Sequence, residues 1–205
     1  MQVENIKRIY TKYSDSYDFI FKKLFQPRIA RVIAQMGIQP GDHVLEVGVG
    51  TGLSFPFYPD YCRVTGVDLC YDMLEKAQGK IRRNNFSHIQ LKAMDAAALG
   101  FEDNSFDFVL AAFVISVVPD PIQVVSEIKR VCKDQARIAI VNHFKSQNKF
   151  VGILEELVNP LCTRIGWKSN LELEYLIEKS NLKVDRVTKW KKNDLWTMIF
   201  AVNCK

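Results

Sequence analysis

The chain has 205 residues, 48% of them hydrophobic and 25% charged, with a formal net charge of +5. That is the composition of an ordinary globular protein with enough chain for one large core, and it excludes a disordered or low-complexity sequence. The longest apolar run, "FVLAAFVISVV" from Phe108 to Val118, falls short of the roughly 18 residues that cross a bilayer, so no membrane-spanning helix is expected.

The N-terminal stretch reads as a basic amphipathic helix. Val3, Ile6, Tyr10, Tyr13, Tyr17, Ile20 and Leu24 recur at intervals of three and four, while Lys7, Arg8, Lys12, Lys22 and Lys23 lie off that stripe. Such a helix can lie in the interface of an anionic membrane, or pack on the domain with its lysines in water. Beyond it, short β-branched runs alternate with helical patterns, which is the signature of βαβ units. Strands are predicted at His43–Val49, Arg63–Asp68, Ile89–Met94, Phe106–Ala112 and Ala136–Phe144, with helices at Tyr71–Arg83 and Ile122–Cys132. Two more helical stretches are predicted, around Phe150–Cys162 and Leu171–Ser180. Leu182–Trp190 and Leu195–Asn203 then read as a hairpin that closes the sheet edge. The expected fold is α/β: a seven-stranded, mostly parallel Rossmann-like sheet with a C-terminal antiparallel hairpin and helices on both faces. One domain is expected, with a helical cap over residues 1–37, a core over 38–144 and closing elements over 145–205. No internal repeat or linker interrupts it.

Cysteines and histidines narrow the chemistry. Cys62, Cys70, Cys132, Cys162 and Cys204 are odd in number, scattered and without a CxxC pair. With no secretory leader recognisable before them, they point to reduced thiols and a cytoplasmic location. His43, His88 and His143 are far apart with no cysteine beside them, so no metal set is expected.

The first predicted strand ends in "VLEVGVGTG", with glycines at 48, 50 and 52. Glycines this dense let a backbone turn with positive φ and approach a ligand closely. A dinucleotide fingerprint requires its third glycine three positions after the second, where this chain has Leu53, and no Lys-Ser or Lys-Thr pair closes a phosphate loop. Read from Glu46, the pattern ExGxGxG resembles motif I of class I methyltransferases, whose cofactor is S-adenosylmethionine. In that resemblance Glu46 faces the amino-acid end of the cofactor, and Gly48, Gly50 and Gly52 form the close-approach loop. Asp68, twenty residues after Gly48 at the tip of the second strand, is placed to accept both ribose hydroxyls, and Leu69 and Met73 follow it toward adenine. Asp95 in "AMDAA" resembles the position that receives the adenine amino group, with the amide of Ala96 on a ring nitrogen.

Other segments bear on the methyl acceptor. Methyl transfer from a sulfonium needs alignment and dryness more than acid–base groups. The segment after the fourth strand, "AAFVISVVPDP", offers no polar clamp for a flat nucleobase amine, so nucleic acid is not the expected partner. "YTKYSDSYD", "LEVGVGTGLSFPFYP", "VISVVPDP", "VNHF" and "IGWKSNLELEYL" together resemble the bacterial phosphatidylethanolamine N-methyltransferases of the peripheral type. The resemblance implies a cytoplasmic enzyme that docks on the inner face of the membrane and methylates the ethanolamine head group, up to three times, to give phosphatidylcholine. A monomer that uses its basic N-terminal helix for docking is expected. The alternative acceptor is a soluble amine or a quinone precursor. Tyr10, Tyr13 and Tyr17 are candidates for an aromatic wall around a methylated ammonium. His143 is a candidate to take the amine proton or to meet the lipid phosphate.

Overall fold

The computed structural model describes residues 22–145, 170–191 and 194–205. Seven strands form one sheet in the order β3-β2-β1-β4-β5-β7-β6. They are β1 (His43–Val47), β2 (Arg63–Asp68), β3 (Ile89–Ala93), β4 (Phe106–Ala112), β5 (Cys132–His143), β6 (Lys183–Lys189) and β7 (Trp196–Val202). The first five are parallel; β7 runs antiparallel between β5 and β6. The hairpin is inserted with its apolar strand inward. "WTMIFAV" of β7 is buried almost throughout, whereas "KVDRVTK" of β6 carries the charges suited to an exposed edge.

Side chains of the strands alternate between two cores. Val44, Leu110, Val141 and Met198 point to the face covered by α1 (residues 22–36) and α2 (Tyr71–Asn84). Leu45, Val109, Ile140 and Ile199 point to the face covered by α3 (Pro121–Val131) and α4 (Leu173–Ser180). Phe106 breaks the alternation within β4, because the register with β5 shifts between Phe106 and Phe108. That bulge also explains why β5 begins at Cys132, earlier than the periodicity predicts: Cys132 pairs with Phe106 across it.

The connection from β1 to β2 departs from the helical pattern. Only one 3-10 turn, Phe55–Phe57, stands between them. Pro56 is tolerated at the start of that turn, and Pro59 soon afterwards has no N–H with which to continue a helix. The glycine loop therefore opens onto a short turn with no helix dipole behind it.

Strand order reverses between β1 and β4, since β2 lies on one side of β1 and β4 on the other. In an open parallel sheet the crevice beyond the carboxyl ends at such a point is where ligands bind. Gly48, Asp68, Asp95 and Phe113 all lie at or just beyond the carboxyl ends of strands there.

Candidate active site

The glycine loop is held by its own amides. Gly48 and Val49 both donate to the carbonyl of Val67, at 2.9 and 3.0 Å, and Gly52 donates to Val49 at 3.0 Å. The Gly50 amide donates to Oδ2 of Asp68 at 2.8 Å. With these four N–H groups engaged and no helix N-terminus behind them, the loop lacks the anion cradle that a pyrophosphate requires.

All three glycines take positive φ, but for different reasons. A Cβ on Gly48 would lie 2.7 Å from the Val114 side chain, and one on Gly52 would lie 2.2 Å from the ring of Phe55. At Gly50 the same position meets nothing within 4 Å. Gly50 therefore faces open cleft, Gly48 makes room for the loop after β4, and Gly52 serves packing.

The cleft runs across the tips of β2, β1 and β4 and beside the loop after β3. Of the residues singled out from the sequence, Gly48, Gly50, Asp68, Leu69, Met73, Asp95 and Ala96 line it. Asp68 lies at the tip of β2. Its Oδ1 accepts from the Cys70 amide at 2.9 Å and its Oδ2 from Gly50, which leaves further lone pairs directed to the cleft. Burial pushes its carboxyl above the usual range, opposed by the amides of Cys70, Gly50 and Leu69. Asp95 is oriented by the Ala97 amide at 2.9 Å, and Met94 donates to the Asp68 carbonyl at 3.0 Å, which links the two acidic tips.

A second, smaller cavity lies on the other side of the glycine loop, between it and α1. Phe25, Ile29 and Glu46 line it, and it shares Gly48, Gly50, Ala112 and Phe113 with the larger cleft. Glu46 is only 3% exposed. Its Oε2 accepts from Ser54 Oγ at 2.7 Å, yet burial outweighs the bonds from Ser54 and Tyr58 and lifts its pKa to about 7. A buried carboxylate with no basic side chain beside it among the described residues suits a cationic ligand group.

Phe113 separates the two cavities. It has φ of +60°, an uncommon backbone state for a bulky side chain, fixed by a 2.6 Å hydrogen bond from its amide to Val141. Its ring stacks on Phe25 of α1 at 4.0 Å, and Trp196 of β7 stands edge-on to both at 5.9 and 6.2 Å. Phe25 and Phe113, together with Cys70 and Met94 in the larger cleft, were not singled out from the sequence. Cys70 and Met94 adjoin residues that were, and Phe113 directly follows a predicted strand, which is the available signal for it.

The remaining sequence candidates lie elsewhere. His143 is 5% exposed, pairs with Trp196 across the β5–β7 ladder and lines neither cavity; its Nδ1 stands 3.0 Å from the Leu195 carbonyl. Gly52 also lines neither. Tyr10, Tyr13 and Tyr17 fall outside the described residues, as does the helix predicted around Phe150–Cys162. Among the described residues no group of three or more metal-ligating side chains comes together, and no helix is long and apolar enough to span a membrane.

Comparison with known proteins agrees with this geometry. A methyltransferase-domain family model matches residues 45–140. The phosphatidylethanolamine N-methyltransferase of Cereibacter sphaeroides is 36% identical over 200 residues, spanning 97% of this chain and 98% of its own. The demethylmenaquinone methyltransferase of Anoxybacillus flavithermus is 28% identical over 192 residues, spanning 86% of this chain and 80% of its own. Among solved structures, a phosphoethanolamine N-methyltransferase of Haemonchus contortus superposes with a TM-score of 0.79 at 18% identity, over 98% of this chain and 61% of that one, a likeness of fold. A glycine loop open at Gly50, acidic strand tips at a reversal of strand order, and a relative matched end to end place the molecule: the chain belongs to the class I S-adenosylmethionine-dependent methyltransferases.

Proposed function

We propose that the chain methylates the head-group amine of phosphatidylethanolamine and of its mono- and dimethylated products, toward phosphatidylcholine. The observation that carries this reading is the extent of the match to the C. sphaeroides enzyme. It covers 97% of the chain and so extends well beyond residues 45–140, into the segments that flank the cofactor core.

In this reading S-adenosylmethionine binds in two parts, one in each cavity. In the larger cleft Asp68 receives the ribose hydroxyls, Leu69 and Met73 flank the adenine, and Asp95 with the Ala96 amide meets its edge. In the smaller cavity Glu46 balances the charge of the amino-acid end, and Gly48 and Gly50 admit the chain between. Gly52 supports this indirectly by accommodating Phe55. When bound, the cofactor supplies an electrophilic methyl group on a sulfonium. The protein's contribution is to align the acceptor and exclude water, for which an apolar wall suffices.

Phe25 and Phe113 form such a wall beside the smaller cavity. Their faces attract an ammonium without requiring a hydrogen bond from it, which matters because the fully methylated product has none to give. Tyr10, Tyr13 and Tyr17 extend the aromatic surface in this reading. His143 acts through its neighbours, holding the Leu195 carbonyl so that Trp196 closes on Phe25 and Phe113. The enzyme works as a monomer, peripherally attached to the cytoplasmic face of an anionic membrane by its basic N-terminal segment, and it does not act on nucleic acid.

The demethylmenaquinone methyltransferase relatives support a second reading, a quinone precursor as acceptor, on a shorter and weaker match. One experiment separates them. The protein is incubated with methyl-labelled S-adenosylmethionine and vesicles containing both phosphatidylethanolamine and a demethylated quinone. Label in the phospholipid head group supports the proposal; label in the quinone alone refutes it.

A further inference from the structure

A phospholipid that stays in its bilayer can offer its amine only over the length of a head group. The acceptor site must then lie close to the membrane plane. Around Phe25, part of the apolar wall proposed to face the acceptor, two elements distant in sequence meet. One is the first described turn of α1, with Lys22, Lys23 and Leu24 exposed. The other is the turn between β6 and β7, with Lys189, Lys191 and Leu195 exposed, Leu195 by 57%.

A buried ion pair joins them. Arg28 Nη2 lies 2.5 Å from Asp194 Oδ1 and its Nε donates to Oδ2 at 2.9 Å, with the side chains 8% and 1% exposed. The same guanidinium lies over Trp196 at 4.3 Å and Trp190 at 5.1 Å, and it also donates to the Leu24 carbonyl. Lys189 Nζ donates to the Asp194 carbonyl at 2.9 Å, which closes the turn. Asp194 is thus neutralised inside the protein, while Lys22, Lys23 and Lys191 are exposed and Lys191 lies 4.2 Å over the Trp190 ring. An exposed leucine and a half-buried tryptophan set among cations suit a surface that bears anionic head groups over an apolar interior.

We infer that the β6–β7 turn is a second membrane-docking element, which presents Trp190, Lys191 and Leu195 to an anionic phospholipid surface beside Lys22, Lys23 and Leu24 of α1. The inference rests on the lipid substrate reading and adds to the N-terminal segment a contact made by the folded domain itself. The Arg28–Asp194 pair holds the two elements in one surface, so the bilayer meets the protein beside Phe25.

The test uses the full chain and vesicles of phosphatidylethanolamine with phosphatidylglycerol, compared with vesicles of phosphatidylcholine alone. Each unit of positive charge at an anionic surface strengthens partitioning about fivefold. Lys191→Glu, a change of two units, is therefore expected to weaken cosedimentation with the anionic vesicles about 25-fold, and Leu195→Gln to weaken it further, with affinity for S-adenosylhomocysteine unchanged as a control for folding. On the parent protein, acyl chains carrying bromine should quench tryptophan emission, and Trp190→Phe should remove most of that quenching. Vesicle binding by the Lys191→Glu, Leu195→Gln variant within twofold of the parent, or quenching that survives Trp190→Phe, overturns the inference. If the parent methylates phosphatidylethanolamine while the variant binds as the parent does, the docking element falls and the substrate reading stands. If the variant loses binding while the parent methylates no phospholipid, the reverse holds.

Discussion

The amide of Gly50 donates to the carboxylate of Asp68 at 2.8 Å, so the loop after β1 and the tip of β2 are fixed to each other across the floor of the cleft. Asp68 thereby orients the loop, and under the proposed function it also receives the ribose. Asp68→Asn keeps the shape but puts an NH2 group where an acceptor is required. The expected result is a loss of S-adenosylhomocysteine affinity of about ten- to a hundredfold, the cost of losing hydrogen bonds to a charged group. Isothermal calorimetry measures it, and an unchanged dissociation constant contradicts the assignment.

Gly50 and Gly52 should respond differently to a side chain. Both have positive φ, so each substitution carries backbone strain of about 1–2 kcal/mol. Gly50→Val adds bulk to open cleft and is expected to abolish cofactor binding while the protein still melts cooperatively. Gly52→Ala drives a methyl into the Phe55 ring, so its main effect is a lower melting temperature, partly restored by Phe55→Leu. Equal effects of the two glycine substitutions on cofactor affinity and on melting would contradict this division.

Glu46 makes stability and binding depend on pH. Its pKa is about 7 in the folded protein against 4.5 when exposed, so between those values the folded state keeps a proton that the unfolded state has lost. The stability this contributes is fully present below pH 4.5 and is lost as pH rises through 7, about 3 kcal/mol in all. Glu46→Gln, which cannot ionise, should flatten the stability profile across that window. A cofactor ammonium beside Glu46 favours its charged form, so binding at pH 7 should release about half a proton, read from calorimetry in buffers of different ionisation enthalpy. Equal proton release by parent and Glu46→Gln would show that the amino-acid end lies elsewhere.

His143→Gln tests whether that imidazole carries protons. The supporting role predicts a stability loss of about 1–3 kcal/mol from a poorly matched Leu195 carbonyl, with kcat on phosphatidylethanolamine within tenfold of the parent and an unshifted pH profile. A general base would instead cost about a hundredfold or more in kcat and move the profile, with melting unaffected.

The sheet core was legible because each parallel strand is a short apolar run bounded by a turn signal. Arg63–Asp68 and Phe106–Ala112 have the bounds their periodicity predicts. The early start of β5 was not legible, since "KDQ" after Cys132 reads as a turn, and the pairing of Cys132 with Phe106 exists only across the bulge. Gly48, Gly50, Asp68 and Asp95 could be singled out because each sits at or just beyond a strand tip at a spacing that the fold dictates. Phe25 and the Arg28–Asp194 pair could not, and for Phe113 the end of the predicted strand marks the position but not its backbone state. A positive φ at a phenylalanine has no local signature, and an ion pair between residues 166 apart depends on where the hairpin lands.

Whether this methyltransferase acts on a phospholipid amine is decided by the head groups it produces. The chain is expressed in cells whose membranes contain phosphatidylethanolamine but no methylated derivatives, and the lipid extract is separated by head group, with Asp68→Asn as the inactive control. Mono- and dimethylphosphatidylethanolamine or phosphatidylcholine are expected with the parent and not with Asp68→Asn. Unchanged phospholipid head groups, in cells where the folded parent protein methylates a quinone or a soluble amine, would overturn the phospholipid reading.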